Sequence, residues 1–317
     1  MNLIKSLKKY LLSGTLAFFI VFGSISPVYA EVNPEVVSSF QELKELSKAE
    51  AGLDFQDIDG NTYVVDKNGN TRYWWQYDSN GNLYYIEPES GMIRSSTNAG
   101  GIYFDENGHF VNPSMKNVEK NLDLAKRFDN GETLRLANEE ELLDFLEYYS
   151  AQYRYQDDAS NITIINNGDG SKSITLPADM KYDREALINE ILTKFGPLEG
   201  NTDYEKILDG CQKITNTISY DLDYITADLQ TSLANGKGVC RHYSKCLKAL
   251  LDNAGIQNEI MVGYYMGNGH MWLRCMVGEE WVYVDPTAAK QIWWSYSNIP
   301  YQTLIENYIP ARSISVQ

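Results

Sequence analysis

Three side chains in the last third of the chain have types that can work together: Cys240, His270 and Asp285. The cysteine stands in Gly-Lys-Gly-Val-Cys-Arg-His-Tyr-Ser (236–244), the histidine in Gly-His-Met-Trp-Leu-Arg (269–274) and the aspartate in Trp-Val-Tyr-Val-Asp-Pro-Thr (281–287). A thiol, an imidazole and a carboxylate in a row are the parts of an activated sulfur nucleophile. The imidazole exchanges a proton with the sulfur and then with the leaving group, and the carboxylate fixes the ring's tautomer and steadies its charge. The first turn of a helix favours a thiolate, through its unpaired N–H groups and the macrodipole. The same N–H groups can receive the oxyanion formed when a carbonyl is attacked. Gly236 and Gly238 let a substrate chain approach the backbone. Each residue also has a plainer reading. Cys240 can be a small apolar side chain at a helix start, His270 a packed polar residue, and Asp285, before Pro286, the opening residue of a turn.

The elements that would position these groups follow from periodicity. Residues 239–254 read as a helix with Tyr243, Leu247, Leu250 and Leu251 inward. Strands follow at about 258–265, 270–277 and 280–285. If Gly278-Glu279 is the centre of the last hairpin, Leu273 faces Val284 and Trp272 faces Asp285. His270 then lies diagonal to Asp285 on the same face, while Met271, Leu273, Val282 and Val284 point to a core. A slip of one residue would reverse this. Upstream, Thr202-Asp-Tyr-Glu205 reads as the cap of a helix carrying Ile207, Leu208, Cys211, Ile214 and Ile218 inward. His242 is two residues beyond Cys240, so on a helix it points away and is a poor base. Cys240, His242 and Cys246 match no common zinc spacing, and no Asp-x-Asp-x-Asp-Gly calcium loop stands near the core. No cofactor or metal is expected.

The stretch from about 202 to 288 resembles the transglutaminase-like superfamily, on Gly-Val-Cys-Arg-His-Tyr-Ser (238–244), Leu-Leu-Asp-Asn-Ala-Gly-Ile (250–256), Gly-His-Met-Trp (269–272) and Trp-x-x-x-Asp-Pro-Thr (281–287). The resemblance implies an α+β, papain-like fold, with a cysteine-bearing helix packed on an antiparallel sheet that carries the histidine and aspartate. It implies Cys240 as nucleophile, His270 as base and Asp285 as orienting acid. Tyr220, in Ile218-Ser-Tyr-Asp221, matches a family tyrosine that would line the cleft or aid the oxyanion hole; the other reading is a packed tyrosine.

The remainder divides by composition. Lys5, Lys8 and Lys9, the apolar run Tyr10–Ile25 and Pro27-Val-Tyr-Ala30 read as a signal peptide over residues 1–30, with an uncleaved membrane anchor as the alternative. Residues 31–52 read as a helical linker. Residues 53–112 are aromatic runs broken by Asn-Gly, a hairpin signal that recurs as an internal repeat. Gly81, Leu83-Tyr84-Tyr85, Gly91 and Met92 resemble one unit of the cell-wall-binding repeats of Gram-positive surface proteins. That resemblance implies wall polysaccharide or teichoic acid as a ligand, with Trp74, Trp75, Tyr84, Tyr85 and Tyr103 as binding candidates; the alternative is a meander whose aromatics only pack on each other. His109 in this region is expected at the surface. Residues 113–200 read as a mixed α/β subdomain without chemistry of its own, and 201–317 as the catalytic domain. Its tail, with Trp293, Trp294 and Tyr296, walls the cleft or simply packs.

A formal net charge of −16 argues against nucleic-acid binding, which needs clustered Lys and Arg. The four cysteines are too few for a disulfide scaffold, and buried free thiols are expected. The leading expectation is a secreted or wall-retained enzyme that attacks protein or peptide amides through a thioester. Hydrolysis (a peptidase) and transfer (a transamidase or deamidase) both stay open, because the triad does not choose the acceptor. The alternative is a surface adhesion or scaffold protein that uses the same fold as a binding module.

Overall fold

The computed structural model describes residues 54–58, 61–65, 69–70, 74–77, 81–87, 90, 92–93, 98–99, 102–155, 162–180, 182–287 and 308–310. The signal segment, the linker helix and Trp293, Trp294 and Tyr296 lie outside the described residues. Among the described residues no helix is long and apolar enough to cross a membrane.

Seven short strands come first: β1 (Asp54–Ile58), β2 (Asn61–Val65), β3 (Trp74–Tyr77), β4 (Leu83–Ile86), β5 (Asn98–Ala99), β6 (Ile102–Phe104) and β7 (Phe110–Val111). They pair antiparallel as β1–β2, β3–β4 and β5–β6–β7.

The middle of the chain builds its own small core. Helices α1 (Val118–Asp129) and α2 (Glu139–Tyr148) pack with a sheet of β8 (Leu134–Leu136), β9 (Thr163–Asn166) and β10 (Lys172–Thr175), in the order β8-β10-β9. Phe128, Leu134, Leu136, Phe145 and Tyr149 are fully buried there. Asn138 caps α2, its side chain accepting the Glu141 amide at 2.9 Å. The helix ends in a π-helical turn, Tyr149–Tyr153. That turn aims Gln152 at the backbone of Ile260 in the next sheet. The Gln152 amide donates to the Ile260 carbonyl at 2.8 Å and accepts the Ile260 N–H at 3.0 Å. Both buried backbone groups are thereby satisfied, as a neighbouring strand would satisfy them.

The third unit contains α3 (Arg184–Phe195), α4 (Asp203–Thr217), β11 (Ser219–Tyr220), α5 (Leu229–Asn235), β12 (Lys237–Gly238), α6 (Cys240–Asn253), β13 (Asn258–Tyr265), β14 (Asn268–Val277), β15 (Glu280–Val284) and β16 (Tyr308–Pro310). Thr202 and Glu205 close a reciprocal capping box on α4. The antiparallel sheet runs β15-β14-β13-β16. One face packs on α6 through Ile260, Leu273, Val282 and Val284, with Tyr243, Leu247, Leu250 and Leu251 opposite. Sequence had assigned α3 to the middle subdomain. Its apolar face, Leu187, Ile191 and Phe195, instead joins this core.

The other face of the sheet is covered too. Trp272, Met261 and Tyr283 are buried against Leu83, Phe104 and Phe110 of the N-terminal strands. Gly81 makes the closest approach: its carbonyl accepts the Tyr283 hydroxyl at 3.0 Å, and a Cβ there would lie 2.2 Å from the Trp281 carbonyl oxygen.

Candidate active site

Local backbone chemistry places Cys240. Gly236 terminates α5 in the left-handed conformation at φ 65°. The chain then pairs parallel with β11, Tyr220 beside Gly238, with Ser219 and Asp221 amides donating to the Gly236 and Gly238 carbonyls at 2.8 Å each. Gly238 is required for close packing, because a Cβ would stand 2.5 Å from Ser232 Oγ and 3.0 Å from the His242 ring. Val239 has no side chain able to cap α6. The His242 ring does so instead: its Nδ1 accepts the Val239 N–H at 3.0 Å. His242 is fully buried, with its Nδ1 engaged by the Val239 amide. Cys240 thus opens α6, half-buried, at the positive end of the helix dipole. Ser244, one turn on, donates to the Met271 carbonyl at 3.0 Å and joins this end of α6 to β14. Lys245 donates to the carbonyls of Ser150 at 3.0 Å and of Arg154, tying α6 to the π-helical turn.

The sheet places the other two groups. Leu273 pairs with Val284 and Val277 with Glu280, so Gly278-Glu279 is the turn and the expected register holds. Asp285 follows directly, and its Oδ2 is 2.7 Å from His270 Nε2. Its Oδ1 accepts the Thr287 amide at 2.9 Å and the Thr287 hydroxyl at 2.7 Å. One Asp285 oxygen thus faces the His270 ring and the other the two Thr287 donors. Thr287 is the part that sequence reasoning passed over, although it stood in the Asp-Pro-Thr motif.

With Nε2 held by Asp285, Nδ1 is the His270 nitrogen left for Cys240, and the two side chains are within hydrogen-bonding contact. The ring lies between Trp272, stacked at 6.1 Å, and Tyr265 at 5.6 Å. Its side chain is 9% exposed and that of Asp285 3%. Burial alone disfavours the charged ring. The Asp285 charge and hydrogen bond, then Cys240, outweigh burial, and the imidazole is pushed up to about 10. The ring is thus protonated at neutral pH.

Tyr220 stands beside Cys240 and is also packed, half-buried, against the core. Its hydroxyl meets the Cys240 backbone amide, and its ring lies 6.1 Å from that of Tyr243. Burial first, then the neighbouring Cys240, pushes the phenol well up, so it stays a neutral donor. Cys211, Cys246 and Cys275 are buried free thiols. Among the described residues no cluster of His, Cys, Asp and Glu is fit to hold a metal.

The N-terminal candidates fall differently. Tyr84 is 5% exposed, packed with Ile86 and edge-on to His109. That leaves its ring no open face for a sugar, which corrects its selection as a binding residue. Tyr85 is half-buried against the sheet face of Trp272. Tyr103 is half-buried with the Lys116 ammonium 4.0 Å from its ring centroid. Trp74 and Trp75 lie on β3, and their side chains are outside the described set. His109 is not at the open surface: it is half-buried, with Nδ1 3.1 Å from Asp105.

With this geometry in place, comparison with known proteins is informative over one region. Residues 197–286 match the model of the transglutaminase-like superfamily. That match covers the residues that hold the three groups. No curated protein sequence matches the chain. Solved structures with partial likeness include a TGase (15% identity, TM-score 0.31, covering 49% of this chain and 51% of that one). Others are a proposed cysteine protease from Cytophaga hutchinsonii (18%, 0.28, 40% and 61%) and a proposed protease from Parabacteroides distasonis (14%, 0.25, 45% and 41%). The chain thus spans between two-fifths and three-fifths of their lengths.

Proposed function

We propose that the protein is a cysteine-nucleophile enzyme acting on protein or peptide amides through a thioester. The row Asp285–His270–Cys240, with a 2.7 Å link between carboxylate and ring, is the observation that supports this reading. In the first step the Cys240 sulfur, its proton held on His270 Nδ1, attacks the amide carbonyl. The C=O electron pair moves to oxygen, and the oxyanion forms beside the first-turn amides of α6. Tyr220, at the Cys240 amide, is placed to donate its O–H to that oxygen. The tetrahedral centre collapses, the C–N bond breaks, and His270 gives its proton to the leaving amine. A thioester remains on Cys240. Water then yields the acid and an amine yields a new amide, with His270 as base in either case.

Selective alkylation of Cys240 by iodoacetamide at mildly acidic pH, lost in His270→Ala, tests the nucleophile. Labelling no faster than that of an ordinary exposed cysteine would remove the enzymatic reading in favour of a binding module. Mass spectrometry of surface proteins after treatment separates cleavage, Gln-to-Glu conversion and isopeptide formation. We place the protein outside the membrane, retained at a cell wall, on the lysine-led apolar segment and the aromatic repeats. N-terminal sequencing of the exported protein and retention of the full chain on purified walls test this; an intact N-terminus in the cytosol, or retention equal to an inert control, removes it.

A further inference from the structure

The described residues include six large apolar side chains that stand exposed, and five of them lie on two segments, the loop after Tyr220 and the end of β13 with its turn. Leu222 (75%), Tyr224 and Ile225 (79%) belong to the loop that follows Tyr220. Tyr264 and Met266 belong to the tip of the β13–β14 hairpin, where Tyr264 pairs with Gly269, next to His270. The first loop is joined to the nucleophile's own segment. The Asp221 amide donates to the Gly238 carbonyl, Arg241 donates to the Ala227 carbonyl at 2.8 Å, and Tyr224 is near enough to Tyr220 to interact electrostatically. The second segment includes the turn that directly follows Tyr265, whose ring lies against His270.

These loops are also held in place. The buried Asp221 carboxylate accepts the Thr226 amide at 2.7 Å and the Asp223 amide at 3.3 Å. Tyr224 (φ 54°) and Met266 (φ 49°) are two of three non-glycine residues at positive φ among the described residues. Bulky side chains resist that conformation, and its presence at a rim signals a local demand that glycine would have met more easily. At both places the chain keeps a large apolar group exposed to solvent.

We infer that Leu222, Tyr224, Ile225, Tyr264 and Met266 form a two-sided apolar rim that selects acyl-donor peptides carrying bulky aliphatic or aromatic side chains next to the attacked amide. This rests on the thiolate reading of the site, and it adds the substrate class. Such a segment lies between the two loops with its carbonyl at Cys240, and its flanking side chains cover surface that is otherwise wet.

The test uses the full chain and two acetyl-dipeptide aldehydes, Leu-Phe and Ser-Ser. The Cys240 sulfur adds to the aldehyde carbon and the proton passes to its oxygen, a reversible adduct that shields the sulfur. Protection against iodoacetamide reports binding, and the ratio between the two aldehydes is internal to each protein. Leu-Phe should protect at about tenfold lower concentration than Ser-Ser, the ratio given by burying roughly two methylene groups. Leu222→Ser/Ile225→Ser and, separately, Tyr264→Ser/Met266→Ser should bring the two aldehydes close to parity. Equal protection in the wild type, or a preference that survives in both variants, overturns the rim. Self-association abolished by these substitutions, without any aldehyde preference, also overturns it and assigns the patch to a second copy. Slow iodoacetamide labelling of wild-type Cys240 instead defeats the thiolate reading, and this inference falls with it.

Discussion

Asp285→Asn isolates what the carboxylate does for the site. In the wild type Oδ2 faces His270 Nε2 at 2.7 Å, and Oδ1 is held by two Thr287 donors at 2.9 and 2.7 Å. Asparagine can keep the Thr287 bonds with its one oxygen. Its NH₂ group then replaces Oδ2, and a donor faces the ring. Nε2 must become an acceptor, so the ring proton moves to Nδ1, the nitrogen beside Cys240. A ring protonated there cannot take the thiol proton. The Asp285 charge that opposes the burial penalty is also gone, so the ring's affinity for a second proton falls. General acid–base effects are of order 10²–10⁴, so iodoacetamide labelling of Cys240 at neutral pH should fall about 1000-fold. Losing one charge-assisted hydrogen bond should cost about 1.5–3 kcal/mol of stability, read by urea unfolding. Thr287→Val keeps the carboxylate and only loosens it, so its labelling should fall about tenfold, by a bond's worth of orientation. A folded Asp285→Asn protein that labels as fast as the wild type would refute this account, and with it the assignment of the ring's tautomer.

Stability should depend on pH through the same ring. A histidine whose pKa rises from 6.5 unfolded to about 10 folded contributes stability that is fully present below about 6.5 and disappears as pH rises through about 10. Urea midpoints across that range should decline in the wild type more steeply than in His270→Gln; parallel profiles would show that the ring does not carry the effect. Gly81→Ala and Gly69→Ala form a matched pair, since both glycines have positive φ (77° and 79°) but only Gly81 is packed against the sheet. Gly69→Ala should cost about 1 kcal/mol from backbone strain alone. Gly81→Ala, with its Cβ 2.2 Å from the Trp281 oxygen, should cost several-fold more and slow Cys240 labelling; equal melting temperatures would mean that the N-terminal strands do not buttress the sheet. Gly238→Ala should displace Ser232 and His242, and lower both stability and Cys240 reactivity in parallel; an unaltered labelling rate would separate that turn from the placement of the sulfur.

The parts of this site that sequence made legible are those set by short-range rules. Val277, Glu280 and the glycine between them fix a hairpin, the hairpin fixes a register, and strand alternation then puts His270 and Asp285 on one face. The Thr202–Glu205 and Asn138 caps were legible for the same reason, because donor and acceptor lie within one turn. The Gly81–Tyr283 bond joins residues 202 apart in sequence, and no local pattern announces it. Only the aromatic character of Trp272 and Tyr283, on the face that also carries His270, hinted that this face was covered. The π-helical turn that directs Gln152 to Ile260 needs an i to i+5 geometry that apolar periodicity does not encode.

Distance in sequence also explains why the triad depends on more than its own motifs. Its sulfur belongs to a helix and its imidazole to a sheet. What holds these two in mutual register is the Ser244–Met271 bond on one side, the Lys245 ties to the π-helical turn on another, and the apolar contacts of Tyr243 and Leu247 beneath. Side-chain reach between Cys240 and His270 is therefore a property of the whole packed unit, set by residues that carry no chemistry. That is why substitutions at Gly81 or Gly238, neither of which can move a proton, are expected to register in the reactivity of one cysteine.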